Sequence, residues 1–359
     1  MTSVTVRVPA KINLQLAVGP LRPDGYHGLV TVFHAVSLFD EVTVAAAEAD
    51  SVAVTGEGAE VVPANGDNLA LRAVRALRAA VAERARVIGA TGVIGATRND
   101  GIGGVVGTGP LEAGGVAGDA ALGDDGASGV GSAAPSGTAD VGGAGGVAVT
   151  IAKRIPVAGG MAGGSADAAA ALVACNELWG TGLSLEELCA VAGGVGSDVA
   201  FAVLGGTAIG RGRGEQLTAA PVAPATYHWV LAFADGHLST PTVFRALDRQ
   251  RQGREVAEPE LSAELIRALS NGDPVKLGPA LTNDLQEPAL RLFPALRKTL
   301  DGGLEAGALG ALVSGSGPTC FFLARDDRHA TDLATSLSGA GACRSVATAT
   351  GPATGACVI

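Results

Sequence analysis

Residues 156 to 168 read Pro-Val-Ala-Gly-Gly-Met-Ala-Gly-Gly-Ser-Ala-Asp-Ala, with four glycines in six positions directly before an alanine-rich run. Glycine reaches backbone conformations closed to other residues and lets amide groups come close to a ligand. A helix that follows adds its dipole and unpaired N–H donors. The pattern predicts a strand (Val147 to Ile151), a glycine-rich turn suited to phosphate (Pro156 to Gly164) and a helix (Ala166 to Leu178) with Ser165 as its N-cap. A tight turn of small residues would need fewer glycines. Spacing removes two familiar phosphate loops. A Walker-type loop requires Lys where Ser165 stands, and a dinucleotide-binding turn requires glycines at relative positions 0, 2 and 5, which Gly159, Gly160, Gly163 and Gly164 do not supply. Positive charge then has to come from Lys153 just upstream or Lys11 near the N-terminus.

Around this segment the chain alternates. Val4 to Val8 and Ile12 to Val18 follow the period-2 pattern of strands. Asp67-Asn68 opens a helix over Leu69 to Arg84, with Leu69, Ala73, Leu77 and Ala80 on one face and arginines on another. Another helix is framed by Ser184 and Glu187 as a capping box and by Gly193-Gly194 as its stop. The proline-containing stretch at 221–224 marks a domain boundary, giving parts 1–222 and 223–359. Beyond it, strands (Val230 to Phe233, Ala311 to Val313, Cys320 to Ala324) mix with helices (Thr242 to Leu247, Pro288 to Leu300, Arg328 to Leu337), the order of a small α+β domain with antiparallel strands. Gly89 to Gly146 stands apart, holding 20 of the 54 glycines, no aromatic residue and six acidic residues against one basic. Such a segment buries too little apolar area to offset the entropy of ordering it, so it reads as a disordered insertion.

A chain of 359 residues accommodates two cores. Its formal charge of −10 argues against nucleic acid or an anionic membrane as partner, since both need clustered Lys and Arg, and favours a small soluble substrate. The five cysteines (Cys175, Cys189, Cys320, Cys343, Cys357) form no CxxC pair and read as reduced and structural. The start, MTSVTVRVPAKINL, has neither the basic nor the long apolar region of a signal peptide, and no apolar run reaches the ~18 residues of a membrane helix. The expectation is a cytoplasmic protein.

Three segments together resemble the motifs of the GHMP kinases (galactokinase, homoserine kinase, mevalonate kinase, phosphomevalonate kinase). Pro9-Ala10-Lys11-Ile12-Asn13-Leu14 resembles the first motif, the glycine-rich loop the second, and Leu312-Val313-Ser314-Gly315-Ser316-Gly317-Pro318-Thr319 the third. The resemblance implies an α+β, two-domain GHMP kinase fold, with an N-terminal part like ribosomal protein S5 domain 2 and a ferredoxin-like C-terminal part. It also implies ATP and Mg²⁺, and a monomer or weak homodimer. Arg22-Pro23-Asp24-Gly25-Tyr26-His27, Gly196-Ser197-Asp198-Val199 and Leu238-Ser239-Thr240-Pro241-Thr242-Val243-Phe244 are similar to the branch of the family that phosphorylates the 2-hydroxyl of a cytidine diphosphate derivative of methylerythritol. Ala200 departs from that branch, which usually has proline there. Another GHMP kinase, of homoserine or mevalonate type, and a silent nucleotide-binding protein are the alternatives.

Residue by residue, an Asp in a glycine-bounded turn suits a group that accepts the acceptor's hydroxyl proton, which makes Asp198 the candidate base; an Asx-turn cap would look the same. Lys11 would keep that carboxylate charged and bind the nucleophilic oxygen or the transferring phosphoryl group, unless it is a surface strand residue. Asn13, two residues on, shares its strand face. By resemblance, Pro156, Gly159, Gly160, Met161, Ala162, Gly163, Gly164 and Ser165 contact ATP, flanked by Lys153 and Asn68. Tyr26 and Phe244 sandwich the cytosine, His27 hydrogen-bonds it, Phe33 lies nearby, and Thr240 and Pro241 shape the pocket. His27 as an ordinary turn residue is the alternative. Gly315 and Gly317 pack against the loop and approach the acceptor's phosphates. Asp167 either faces Mg²⁺ through water or complements the helix dipole; no metal ligand is assigned.

Overall fold

The computed structural model describes residues 2–92, 145–341 and 343–359. The expected insertion lies almost wholly outside these residues, but its borders are regular: the helix before it runs on to Gly92 and the strand after it begins at Gly146. In chain order the strands are β1 (Ser3–Leu21), β2 (His27–Ala47), β3 (Ser51–Gly56), β4 (Gly146–Lys153), β5 (Thr207–Arg211), β6 (Gln216–Ala219), β7 (Tyr227–Phe233), β8 (Thr282–Asn283), β9 (Gly310–Val313), β10 (Cys320–Ala324), β11 (Ser345–Gly351) and β12 (Cys357–Val358). The helices are α1 (Leu69–Gly92), α2 (Gly163–Leu178), α3 (Leu185–Val195), α4 (Ser197–Leu204), α5 (Thr240–Arg251), α6 (Ala263–Asn271), α7 (Pro274–Ala280), α8 (Gln286–Leu292), α9 (Ala295–Glu305) and α10 (Asp327–Gly339).

Two sheets carry the α+β fold. One runs β12-β1-β2-β4-β3, extended by β5 and β6 from β2 and by β8 from β1; the other is β11-β7-β10-β9, antiparallel throughout. Because β8 and β12 pair with β1, the C-terminal part of the chain returns to the first sheet. One core joins β1, β2 and helices α1 to α4 to Trp229, Leu231 and Phe321 of the second sheet. A second core lies on that sheet's other face, against α5, α8, α9 and α10.

The two strands expected at Val4 to Val8 and Ile12 to Val18 are one strand, β1, broken by register shifts at Pro9/Ala10, Asn13/Gln15 and Val18/Leu21. Bulges of this kind re-aim side chains. Ile12 and Leu14 enter the core, while Lys11, Asn13 and Gln15 fill the other face, also buried. β2, not expected at all, is the longest strand among the described residues. It breaks the alternating pattern because His34 and Asp40 are fully buried on it. The expected helix Pro288 to Leu300 is two helices, divided at Phe293-Pro294. The capping box at Ser184 and Glu187 forms as expected, but α3 runs through Gly193-Gly194 and stops at Gly196.

His34 sits against Tyr227 and Trp229, with Nδ1 2.8 Å from Thr207 Oγ1. Burial pushes its pKa down from 6.5 to about 3. The unfolded chain therefore takes up a proton here that the folded chain refuses. This contribution to stability is complete above pH 6.5 and declines toward pH 3, at roughly 1.4 kcal/mol per pH unit. Urea midpoints followed against pH should fall over this window in the native chain and flatten in His34→Leu. An unchanged slope in the variant would assign the acid sensitivity to other groups.

Candidate active site

A cavity of about 1280 Å³ is lined by β1, β2, the glycine-rich loop, the α3–α4 junction, the start of α5 and the third motif. The loop carries alternating left-handed residues, Ala158 (φ 53°), Gly160 (φ 77°) and Ala162 (φ 60°). Such alternation curls successive amides into an anion-binding concavity. The following helix does not use Ser165 as its cap. α2 begins at Gly163 after Ala162, without a side-chain cap. The first-turn residues Gly163, Gly164 and Ser165 instead line the cavity, where uncapped amide donors suit a phosphate.

The loop's carbonyl side is taken by the protein. Gly159 O accepts from Thr319 N (3.3 Å), Gly160 O from Ser314 Oγ (3.0 Å) and Met161 O from Lys11 N (3.3 Å). The Met161 side chain is wholly in the core and Pro156 is buried behind the loop, so neither lines the cavity.

Opposite the loop, Lys11 Nζ donates to Asn13 Oδ1 (2.8 Å) and lies 3.8 Å from Asp198 Oδ2. It also stands 5.4 Å from the centre of the Phe33 ring, itself stacked on Phe201. Asn13 Nδ2 donates to Thr31 Oγ1 (2.7 Å), which donates to Gln15 O (2.7 Å), so the amide can turn only its oxygen to Lys11. Asp198 is not in a turn: it occupies the first turn of α4, its side chain about one-third exposed. Gly315 comes close to both groups, since a Cβ there would lie 3.7 Å from Lys11 Nζ and 3.5 Å from Asn13 Oδ1.

Tyr26, His27, Thr240, Pro241 and Phe244 line the far end. Tyr26 is exposed, with the Arg213 guanidinium 5.1 Å from its ring centre. His27 Nε2 lies 2.8 Å from Asp248 Oδ1, and its ring is 5.2 Å from that of Phe244. Thr240 Oγ1 meets Ser316 Oγ at 2.8 Å, joining α5 to the third motif.

Besides Pro156 and Met161, three further expected site residues lie outside the cavity. Asn68 caps α1, accepting from Ala70 N (2.8 Å) and donating to Pro63 O (2.8 Å). Gly317 is buried behind the third motif, against Val313 and Leu238. Lys153 is enclosed between Asp40 and Asp167, away from the cavity. Asp167 accordingly neither faces the cavity nor sits in the first turn of α2.

The structure adds lining residues that sequence reasoning passed over, among them Thr31, Arg72 and Asp248. Arg72 and Asp248 lie one helical turn from Leu69 and Phe244, a spacing that could have singled them out. Asn283, also passed over, donates to Val313 O and Gly315 O (both 2.8 Å) and so holds the third motif.

The chain matches the GHMP kinases N terminal domain over residues 130–206 and the GHMP kinases C terminal domain over residues 265–343. It is 48% identical to 4-diphosphocytidyl-2-C-methyl-D-erythritol kinase of Thermobifida fusca, over 100% of this chain and 99% of the relative. It is 47% identical to the kinase of that name from Mycolicibacterium smegmatis, covering 99% and 92% of the two chains. A crystal structure of 4-(cytidine 5'-diphospho)-2C-methyl-D-erythritol kinase superposes with a TM-score of 0.63 at 28% identity, covering 96% of this chain and 98% of the other. With both domains matched in order and that identity sustained end to end, the chain belongs to the GHMP kinase family.

Proposed function

We propose that this kinase transfers the γ-phosphoryl group of ATP to the 2-hydroxyl of 4-diphosphocytidyl-2-C-methyl-D-erythritol, the substrate its relatives are named for. One observation carries the reading: an uncapped helix N-terminus and the Lys11–Asp198 pair share one cavity, the first suited to a polyphosphate and the second to an alcohol. ATP lies with its phosphates on the amides of Gly159 to Ser165. The acceptor hydroxyl lies by Asp198, which takes its proton as the new P–O bond forms. The bond from the γ-phosphorus to the bridging oxygen breaks, and ADP leaves with that electron pair. Lys11 offsets the charge gathering on the transferring group, and Asn13 fixes its ammonium. Mg²⁺ fits this arrangement: bound chiefly by phosphates and water it needs as little as one protein oxygen, and Ser165 would bring such an oxygen to the cavity beside the loop. When bound, it would neutralise phosphate charge.

The cytosine stacks between Tyr26 and Phe244, with His27 at its edge; Thr240 and Pro241 close the pocket, and Gly315 approaches the diphosphate. Residues 1–222 form the nucleotide-binding part and 223–359 the second part, whose β8 and β12 complete the first sheet.

An ADP-release assay over a panel of alcohols tests the substrate. The cytidylyl substrate should exceed mevalonate and homoserine by at least about a hundredfold in kcat/KM, because a site built to hydrogen-bond a base rejects ligands that leave its polar groups unpaired. Equal turnover of a smaller alcohol would replace the acceptor in this reading. ADP release that no acceptor stimulates would reduce the chain to a nucleotide-binding protein.

A further inference from the structure

One buried set of charges holds both ends of the glycine-rich loop. Asp40 on β2 is fully buried; its Oδ1 accepts from the backbone N–H groups of Arg154 (2.5 Å) and Ile155 (2.8 Å), and its Oδ2 receives the Lys153 ammonium at 2.6 Å. The same ammonium reaches Asp167 Oδ2 at 2.7 Å, in the second turn of α2. Lys153 leads into the loop and Asp167 follows it, so both ends are anchored on the sheet through one network.

The loop needs such an anchor. Its alternating left-handed residues and uncapped helix start leave it few internal bonds, and Ala158 and Ala162 adopt a conformation that alanine resists. The charges around Lys153 are uneven: one ammonium faces two carboxylates, and Asp167 Oδ1 has no partner among the described residues. Burial alone would pull Lys153 down, yet its two carboxylates leave it above the usual lysine value.

We propose that Lys153 is a positioning residue: with Asp40 and Asp167 it sets the two ends of the loop at the spacing at which the amides receive the nucleotide phosphates, and it touches neither nucleotide nor metal. This rests on the reading of the loop as the nucleotide site.

The test compares Lys153→Met, Asp167→Asn and the double variant by calorimetric titration with ADP, by KM for each substrate and by kcat. Lys153→Met leaves two carboxylates buried without their cation, and ADP affinity should fall at least about tenfold while the acceptor's KM moves less than about twofold. Asp167→Asn keeps an acceptor for the ammonium and removes the surplus charge, so ADP affinity should fall by less than about threefold. The double variant should regain part of the loss seen in Lys153→Met. A double variant no better than Lys153→Met would mean that Lys153 acts on the nucleotide directly. Loss of turnover by more than about a hundredfold in Asp167→Asn would make that carboxylate a metal ligand, and either result overturns the proposal. If Lys153→Met does not fold, Asp167→Asn decides through its kcat and ADP affinity. A native chain that does not bind ADP would instead remove the nucleotide reading of the loop.

Discussion

Asp198→Asn is expected to lower kcat by about a hundred- to ten-thousandfold, the range in which a lost general base is felt, with ADP affinity unchanged. In barrier height this is about 3 to 5 kcal/mol. The substitution keeps the shape of the side chain and its place in the first turn of α4, but an amide cannot take the acceptor's proton.

Stability should barely move. The Lys11–Asp198 pair is 3.8 Å long and its carboxylate is about one-third exposed, so solvent screening leaves it worth no more than about 1 kcal/mol. Lys11 keeps its bond to Asn13 in the variant, and Asn13 keeps Thr31. A melting temperature equal to the native one, beside a large fall in kcat, separates a chemical role for Asp198 from a structural one. Turnover within tenfold of native would remove Asp198 as the base and leave positioning and charge to carry the rate.

The loop and the first motif were legible because their signals are local. Four glycines before a helix, and Lys11 two residues from Asn13 on a strand, announce their geometry within a few positions. What failed to show depended on distant partners. A lysine just before a phosphate loop looks the same whether it meets ATP or a carboxylate, and Lys153 is decided by Asp40, far away in sequence on a strand that was not expected. That strand was hidden for the same reason: Asp40 and His34 look out of place on it until Lys153 and Thr207 are beside them. Ser165 was misjudged because side-chain capping is the usual need of a helix start, whereas here the donors face the cavity. The third motif was visible in its glycines, but Asn283, which holds it, has no pattern of its own.

Gly160→Ala is expected to damage nucleotide binding and chemistry together. At φ 77° the residue sits where alanine is disfavoured by about 1 to 2 kcal/mol, before any contact is considered. The added methyl group would overlap the Ser314 carbonyl oxygen and lie 3.0 Å from Gly317 N. Both are backbone atoms of the third motif, and that motif cannot retreat easily, since Asn283 holds Val313 O and Gly315 O while Gln286 holds Val313 N. The loop has to move instead, breaking the Gly160 O to Ser314 Oγ bond and shifting the amides that meet the phosphates. A displacement of about 1 Å at such a site costs on the order of a hundredfold in rate. The variant should show kcat/KM for ATP lower by at least about that factor, with a melting temperature down by a few degrees. Gly302→Ala in α9, where the new methyl group meets nothing within 4 Å among the described residues, is the control and should leave kcat untouched. If Gly160→Ala behaves like Gly302→Ala, the contact between loop and third motif does not shape the site.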